Sequence, residues 1–261
     1  MINHNLKNWF IVRTLFSLVV LINTVILYLD KDIFFCYNWQ REINNFASTI
    51  FGYFSITSCS YVPFLITILS SLLLMFGVLP RLSSLIIFIS ISFFQNTNPI
   101  ILDGQDILMR LFAFFLIFQP KLKKIKDDTF INNIPKKLDF IWLFRFQIIL
   151  IYISSSIQKI RSVDWLSGDA LIYISQLDDL FFSEYAYIFS SNFLLSRILT
   201  YFVLLVEIAL PLLLILKSTR NKGVLLGIAL HLSINFFMNL FLFQYLMIIG
   251  LLSFFKFKSK A

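Results

Sequence analysis

Trp9–Leu29 contains a single charged residue, Arg13, and is closed by Asp30-Lys31-Asp32. Crossing the hydrocarbon layer of a bilayer takes about 20 apolar residues in helical form. Comparable runs follow at Val62–Leu79, Leu82 to about Phe94, Ile107–Phe118, Phe140–Ile157, Phe193–Leu216 and Gly223–Phe255. The third and fourth are short and are expected to extend into the polar link QNTNPIILDGQD between them. The last would be roughly 50 Å long as one helix, too long for one crossing. Asn235, Asn239 and Gln244 lie near its middle, so a break is expected near Asn239. The pattern predicts an all-α fold: a polytopic membrane bundle of about eight transmembrane helices, with seven or nine as alternatives. Residues 1–261 are read as one domain.

Composition explains why lipid is the fitting solvent. The chain is 59% hydrophobic and 14% charged, against roughly 25% charged in a soluble domain. A soluble chain of 261 residues would need a very large core to hide that surface, whereas lipid solvates outward-facing apolar side chains. The net charge of +8 does not argue for nucleic acid, because the bases fall in short clusters between apolar runs. These clusters are Lys7 and Arg13, Arg81, Lys121–Lys137, Lys217–Lys222 and Lys256–Lys260. If each pair of runs is a hairpin, every cluster lands on one face, the cytoplasmic one, together with both termini. The opposite loops collect Asp30, Asp32, Glu42, Asp103, Asp106, Asp164, Asp169, Asp178, Asp179 and Glu184. The N-terminus has no small-residue cleavage site and is expected to be a retained helix.

Two outer segments, about Asp30–Tyr61 and Arg161–Asn192, are rich in aromatic residues and are expected to form short interfacial or re-entrant helices. The first holds both cysteines, Cys36 and Cys59, and a disulfide is open to them if that loop faces an oxidising compartment. No metal-ligand spacing such as C-x-x-C is present, and there are 2 histidines.

An ionisable group in the hydrocarbon costs at least ~2.5–3.5 kcal/mol, so each requires a reason. The segment YISSSIQKIRSVDWLSG, Tyr152–Gly168, is the most informative. Three serines lie one turn before Lys159, which ends an apolar helix on the outer side. An amine held against low-dielectric surroundings can serve as base or nucleophile; equally, a lysine at a helix end can snorkel to the headgroups. Asp106 and Arg110, spaced i, i+4, are expected to form a structural ion pair. Arg13 and Arg145 are read as groups that reach the headgroups. Glu207 lies well inside its run, with Pro211 one turn on, and His231 is similarly placed, with Asn235 one turn later. Both face a polar interior, for structural hydrogen bonding or for function.

Taken in order, these features resemble the HTTM family, the bacterial relatives of the membrane domain of vitamin K-dependent γ-carboxylase. The likeness begins at WFIVRTLFSLVVL and continues at LDGQDILMRLFAFFLIFQP. It is strongest at RFQIILIYISSSIQKIRSVDWLSGDAL, and closes with the Glu207/Pro211 helix and HLSINFFMNLFLFQYLM. It covers nearly the whole chain. The resemblance implies that Lys159 occupies the place of the base that drives quinol oxidation, which makes a quinone the implied cofactor. In the carboxylase, oxygenation of the quinol supplies a strong base that removes a γ-proton from a substrate glutamate.

Departures limit the transfer. Gln158 stands where the carboxylase has a second lysine, one extra residue separates Lys159 from Trp165, and Gln105 falls on or near a functional histidine. The chain is also expected to lack the large lumenal domain, so γ-carboxylation is not expected to carry over. The LDGQD turn and compact length look similar to small members of the sporulation-delaying-protein-B type, which act with a partner in maturing a secreted peptide toxin. Two function classes result. One is a cell-membrane protein that modifies or matures an exported peptide, with Lys159, His231 and Glu207 as active residues and Asp106, Arg110, Tyr152 and Trp165 in support. The other is a non-catalytic membrane partner in peptide-toxin production or immunity. The expected partners are membrane lipid, an exported peptide substrate and a partner maturation protein, with no nucleic acid.

Overall fold

The computed structural model describes residues 2–36, 60–98, 103–120, 123–124, 130–131 and 139–257. Eleven α-helices carry the described chain: α1 (Ile2–Leu29), α2 (Val62–Phe76), α3 (Pro80–Thr97), α4 (Gly104–Ile117), α5 (Trp142–Arg161), α6 (Val163–Ser167), α7 (Ala170–Ile174), α8 (Ser183–Ser191), α9 (Phe193–Ile215), α10 (Arg220–Phe237) and α11 (Phe243–Leu252). A π-helical turn at Asp32–Cys36 succeeds α1. The only other regular element among the described residues is the two-residue antiparallel pairing of Lys123–Lys124 with Phe130–Ile131. The all-helical architecture is the one expected.

Element boundaries follow local chemistry. Gly77, left-handed at φ +75°, ends α2, and Pro80 opens α3, so the apolar run Val62–Leu79 is cut before its end. Helix α3 continues through Gln95, Asn96 and Thr97, as expected for a run that looked short. The terminal run breaks between Phe237 and Phe243, around Asn239. At this break Met238 pairs with Phe181, and the Asn239 N–H donates to the Leu180 carbonyl at 2.9 Å, so the unwound backbone is satisfied.

Asp106 corrects an expectation. It forms no ion pair with Arg110; its carboxylate accepts from the Asp103 N–H at 3.2 Å, while Asp103 Oδ1 accepts from the N–H groups of Gln105 and Asp106. This is a capping box, which satisfies the helix's free N–H groups. Backbone donors at the helix start are fixed in place, whereas Arg110 is a long side chain one turn away.

The chain divides into two compact units, Met1–Trp142 and Leu143–Ala261. In the first, α1 packs on α2, and α3 on α2 and α4. Phe35, Phe64 and Phe94 form a buried aromatic knot, with the Phe64 and Phe94 ring centroids 4.7 Å apart. Asp139 accepts from Asn5 Nδ2 at 2.6 Å and from Trp9 Nε1 at 2.9 Å, tying the start of α1 to the chain preceding α5. Gln119 Nε2 donates to the carbonyls of Leu116 and Pro80 and to Ser84 Oγ, joining the end of α4 to the start of α3. Arg13, expected to reach the headgroups, is 4% exposed and lies against Gly77. Cys36 is disulfide-bonded; Cys59 lies outside the described residues, as do most of Asp30–Tyr61 and of the basic stretch Lys121–Lys137.

In the second unit α9 packs against α10, and α10 against α11. The faces of α9 are inverted relative to a soluble helix. Thr200, Leu204, Glu207, Pro211 and Leu214 are buried at alternating spacings of four and three, while Leu194, Leu205 and Leu212 are each more than 60% exposed. A soluble helix presents its polar face outward; α9 hides its carboxylate and shows leucine. Asn5–Leu29 of α1 and Phe193–Ile215 are both long and apolar enough to cross a membrane. Helices α2 and α11 are apolar but shorter. Hydroxyls within the apolar helices satisfy themselves locally: Thr67, Ser71, Ser84 and Thr200 each donate to the carbonyl four residues earlier. The molecule is a membrane protein.

Candidate functional site

Tyr152, Ser155, Ser156 and Lys159 are spaced i, i+3, i+4, i+7 along α5 and form one stripe down its face. Opposite this stripe lie Glu207 of α9, His231 of α10 and Gln244 of α11, so four helices contribute to one polar cluster inside the second unit.

At one end Lys159 Nζ donates to Glu207 Oε2 at 2.7 Å and to Ser155 Oγ at 2.6 Å. The Ser155 hydroxyl donates in turn to Glu207 Oε2 at 2.9 Å, closing a three-membered ring of contacts. Nζ also lies 4.9 Å from the centre of the Trp165 ring, within cation–π range. The side chains of Lys159 and Glu207 are 18% and 10% exposed. The ammonium thus has a carboxylate, a hydroxyl and an aromatic face around it.

Trp165 is placed by the chain immediately beyond α5. Ser162 ends that helix in extended backbone, and the short helix α6 stops at Gly168, left-handed at φ +86°. A Cβ on Gly168 would lie 3.0 Å from Tyr201 Cε2, so glycine meets both the backbone and the packing requirement. Tyr201 Oη donates to the Leu166 carbonyl at 2.9 Å, and Arg197 Nε to Asp169 Oδ1 at 2.8 Å. These two contacts pin α6 and the start of α7 to α9. The Arg197 guanidinium, and then the Ser167 hydroxyl, hold the Asp169 carboxyl below the usual carboxylate range. Short helices were expected in this segment, and α6, α7 and α8 are short helices.

Deeper in, His231 is 5% exposed and has both ring nitrogens engaged. Nδ1 contacts Gln244 Oε1, and Nε2 lies 2.7 Å from Tyr152 Oη. A carboxamide oxygen only accepts, so Nδ1 carries the proton and donates; Nε2 then accepts from the Tyr152 hydroxyl. The order Tyr152 → His231 → Gln244 is therefore polarised along one direction. Gly227, one turn before His231, makes room for it: a Cβ there would stand 2.8 Å from Leu251 Cδ1 and 3.4 Å from Tyr152 Oη. Glu207 is near enough for its charge to act on both Tyr152 and His231, which links the two halves of the cluster. Ser156 Oγ is buried on the same stripe without a hydrogen-bond partner among the described residues.

Lys159, Glu207, His231, Tyr152 and Trp165 thus come together. Asp106 and Arg110 belong to the other unit, where Asp106 closes the capping box of α4. Asn235, one turn after His231, donates only at 3.4 Å to Tyr245 Oη. Sequence inspection missed Gln244 as the partner of His231, having taken it as a mark of the helix break; a lone carboxamide in FLFQYLM was the available signal. Ser155 was visible only as one of three serines. Arg145, expected at the headgroups, instead donates through Nε and Nη2 to the Ser253 carbonyl at 2.9 and 2.7 Å, closing the end of α11.

Among proteins of known type, the model of the HTTM domain matches residues 4–258, spanning every element above. Neither a curated protein nor a solved structure shows significant similarity to the chain. The match extends over nearly the whole sequence, including the Lys159 helix and the Glu207 and His231 helices, and the chain belongs to the HTTM family.

Proposed function

We propose that this protein is a multi-pass cell-membrane protein that modifies or matures an exported peptide at a site opening outward, with Lys159 as the reacting base and Glu207 and His231 in support. The observation that carries this is the pairing of Lys159 with Glu207 at the outer end of α5, in contact with Ser155 and Trp165. A cation and a carboxylate that only anchored a helix end would not require a second polarised chain beside them. Here Tyr152, His231 and Gln244 lie beside the same stripe, and the Glu207 carboxylate, 2.7 Å from Nζ, is placed to take the ammonium proton and leave a neutral amine that can accept one from a substrate. Asp106 supports the fold of the first unit by capping α4.

The γ-carboxylase relationship of the family implies a quinone. The residues present fit such a group: Ser156 Oγ is a buried hydroxyl with an unused hydrogen bond, three residues from Lys159 on the same face. Lys159 and Ser156 would hold it by its ring oxygens. When bound, it supplies the redox chemistry that amino-acid side chains lack; the chain's own residues orient it and move protons at Nζ.

The topology that goes with this reading has residues 1–261 as one domain with both termini cytoplasmic and about eight crossings. The inverted faces of α9 and the placement of bases and acids on opposite loops support it. On a background with Cys36 and Cys59 replaced by serine, a membrane-impermeant thiol reagent should label Asp178→Cys from outside the cell and leave Lys217→Cys unlabelled. Both positions are exposed and flank α9. The reverse pattern overturns the orientation and the outward site together.

A second reading has one observation in its favour: Lys159 is already fully paired, as a structural anchor would be. In that case the protein is a non-catalytic partner that binds an exported peptide or a maturation protein of the peptide-toxin kind. Substitution by arginine separates the two. Arginine restores an anchor and does not restore a base, because the guanidinium does not give up its proton in proteins.

A further inference from the structure

Arg13 is a buried cation without a counter-ion among the described residues. It lies in the first half of α1 and keeps 4% of its surface exposed. Its Nε is sealed from solvent and has no hydrogen-bond acceptor among the described residues. What surrounds the guanidinium is the face of the Phe10 ring, 5.4 Å from Cζ, and the turn at Gly77. A Cβ at Gly77 would stand 2.9 Å from Nη1 and 3.0 Å from Nη2, so the glycine at the end of α2 is what lets the guanidinium lie there. Thr14 Oγ1, the next side chain on α1, is also buried without a partner among the described residues. The guanidinium, a fork of five donors, therefore lies where the described chain supplies no acceptor.

The setting points to the kind of acceptor that the described residues do not supply. Gly77 belongs to the tight α2–α3 turn, and Phe76, Val78 and Leu79 of that turn are 74%, 48% and 63% exposed. An apolar rim on a turn between two apolar helices lies where acyl chains meet the polar surface of a bilayer. Arg81 and Lys7 stand in the neighbouring sequence and give this end of the unit a positive sign. A planar guanidinium matches two oxygens of a phosphate, and a lysine in its place would not.

We infer that Arg13 and the Gly77 turn form a binding site for the phosphodiester of a phospholipid, whose acyl chains lie along the Phe76–Leu79 rim. The lipid is thereby a structural ligand of the first unit. The site rests on residues that the proposed chemistry does not use, so it stands or fails independently of that chemistry.

Native mass spectrometry of the full-length protein in a neutral detergent tests this. Titration with dioleoyl phosphatidylglycerol should show one retained lipid bound at least about tenfold more tightly than dioleoylglycerol, which lacks the phosphate. Arg13→Gln should lose about that factor, and Arg13→Lys, which keeps bulk and charge and so protects the fold, should lose a smaller but measurable part of it. Inorganic phosphate at millimolar concentration should leave the bound lipid in place. Wild-type retention in both variants, or equal binding of dioleoylglycerol, overturns the site. Displacement of the lipid by inorganic phosphate overturns the lipid assignment in favour of a free-anion site.

Discussion

Lys159 Nζ lies 2.7 Å from Glu207 Oε2, bringing α5 and α9 together across 48 residues of sequence. Both side chains are mostly buried, and removing one leaves the other without its counter-ion, with Ser155 as the remaining hydrogen-bond partner. Single substitutions Glu207→Gln and Lys159→Met should each destabilise the protein by about 3 kcal/mol, at the low end of what a broken buried pair costs. The double replacement Lys159→Met with Glu207→Leu should recover much of that loss. Chemical unfolding in detergent micelles measures the coupling; additive single effects would show that the two residues do not act as a pair.

The polarity of the inner chain has its own test. Nitrogen NMR of labelled histidine should show His231 neutral with its proton on Nδ1, the form that Gln244 Oε1 and Tyr152 Oη together select. A proton on Nε2 would contradict that assignment. Tyr152→Phe removes the donor to a buried acceptor and should cost about 1–3 kcal/mol, the desolvation cost of an orphaned polar group.

Gly227 sets how closely α10 approaches α11. Gly227→Ala places a methyl 2.8 Å from Leu251 Cδ1 and should destabilise by about 1–3 kcal/mol through overpacking. Leu251→Ala, made together with it, should relieve part of the strain. If Gly227→Ala is as stable as wild type, the contact has room that the described packing denies.

The Asp169–Arg197 contact predicts a pH response of the helices it holds. The folded carboxyl is held below its ordinary value by Arg197, so its contribution is fully present above the unfolded carboxylate range. It is lost as pH falls through the depressed folded value. The protection of α6 and α7 against hydrogen exchange, taken relative to the intrinsic rate at each pH, should therefore fall below roughly pH 4, and Asp169→Asn should show that loss of protection at neutral pH. Exchange unaffected by either change would mean that Tyr201 alone holds these helices.

Much of the architecture was legible because apolar run length and polar punctuation act locally. The break near Asn239, the extension of α3 into its polar link and the lysine in the last turn of α5 are all local effects. The site was legible in part: Lys159, Glu207 and His231 stood out because charge in an apolar run is costly. Their partners did not. Which carboxamide meets His231, or which serine bridges Lys159 to Glu207, depends on how helices far apart in sequence pack. Asp106 misled for a related reason, since i, i+4 spacing to Arg110 competes with free backbone N–H groups that sequence spacing does not display. The burial of Arg13 was not legible, because glycine at position 77 opens a recess for it, a three-dimensional complement invisible along one helix.

The central claim is that Lys159 reacts. Mass spectrometry of small exported peptides should compare cells carrying the wild-type protein, Lys159→Ala and Lys159→Arg, with membrane levels of all three matched. A peptide that has a cleavage or a mass increment in the wild type, and loses it in both variants, is the predicted result; the increment would name the chemistry. An exported-peptide profile unchanged by either substitution, or fully restored by arginine, would contradict a reacting lysine and leave Lys159 as the anchor of α5.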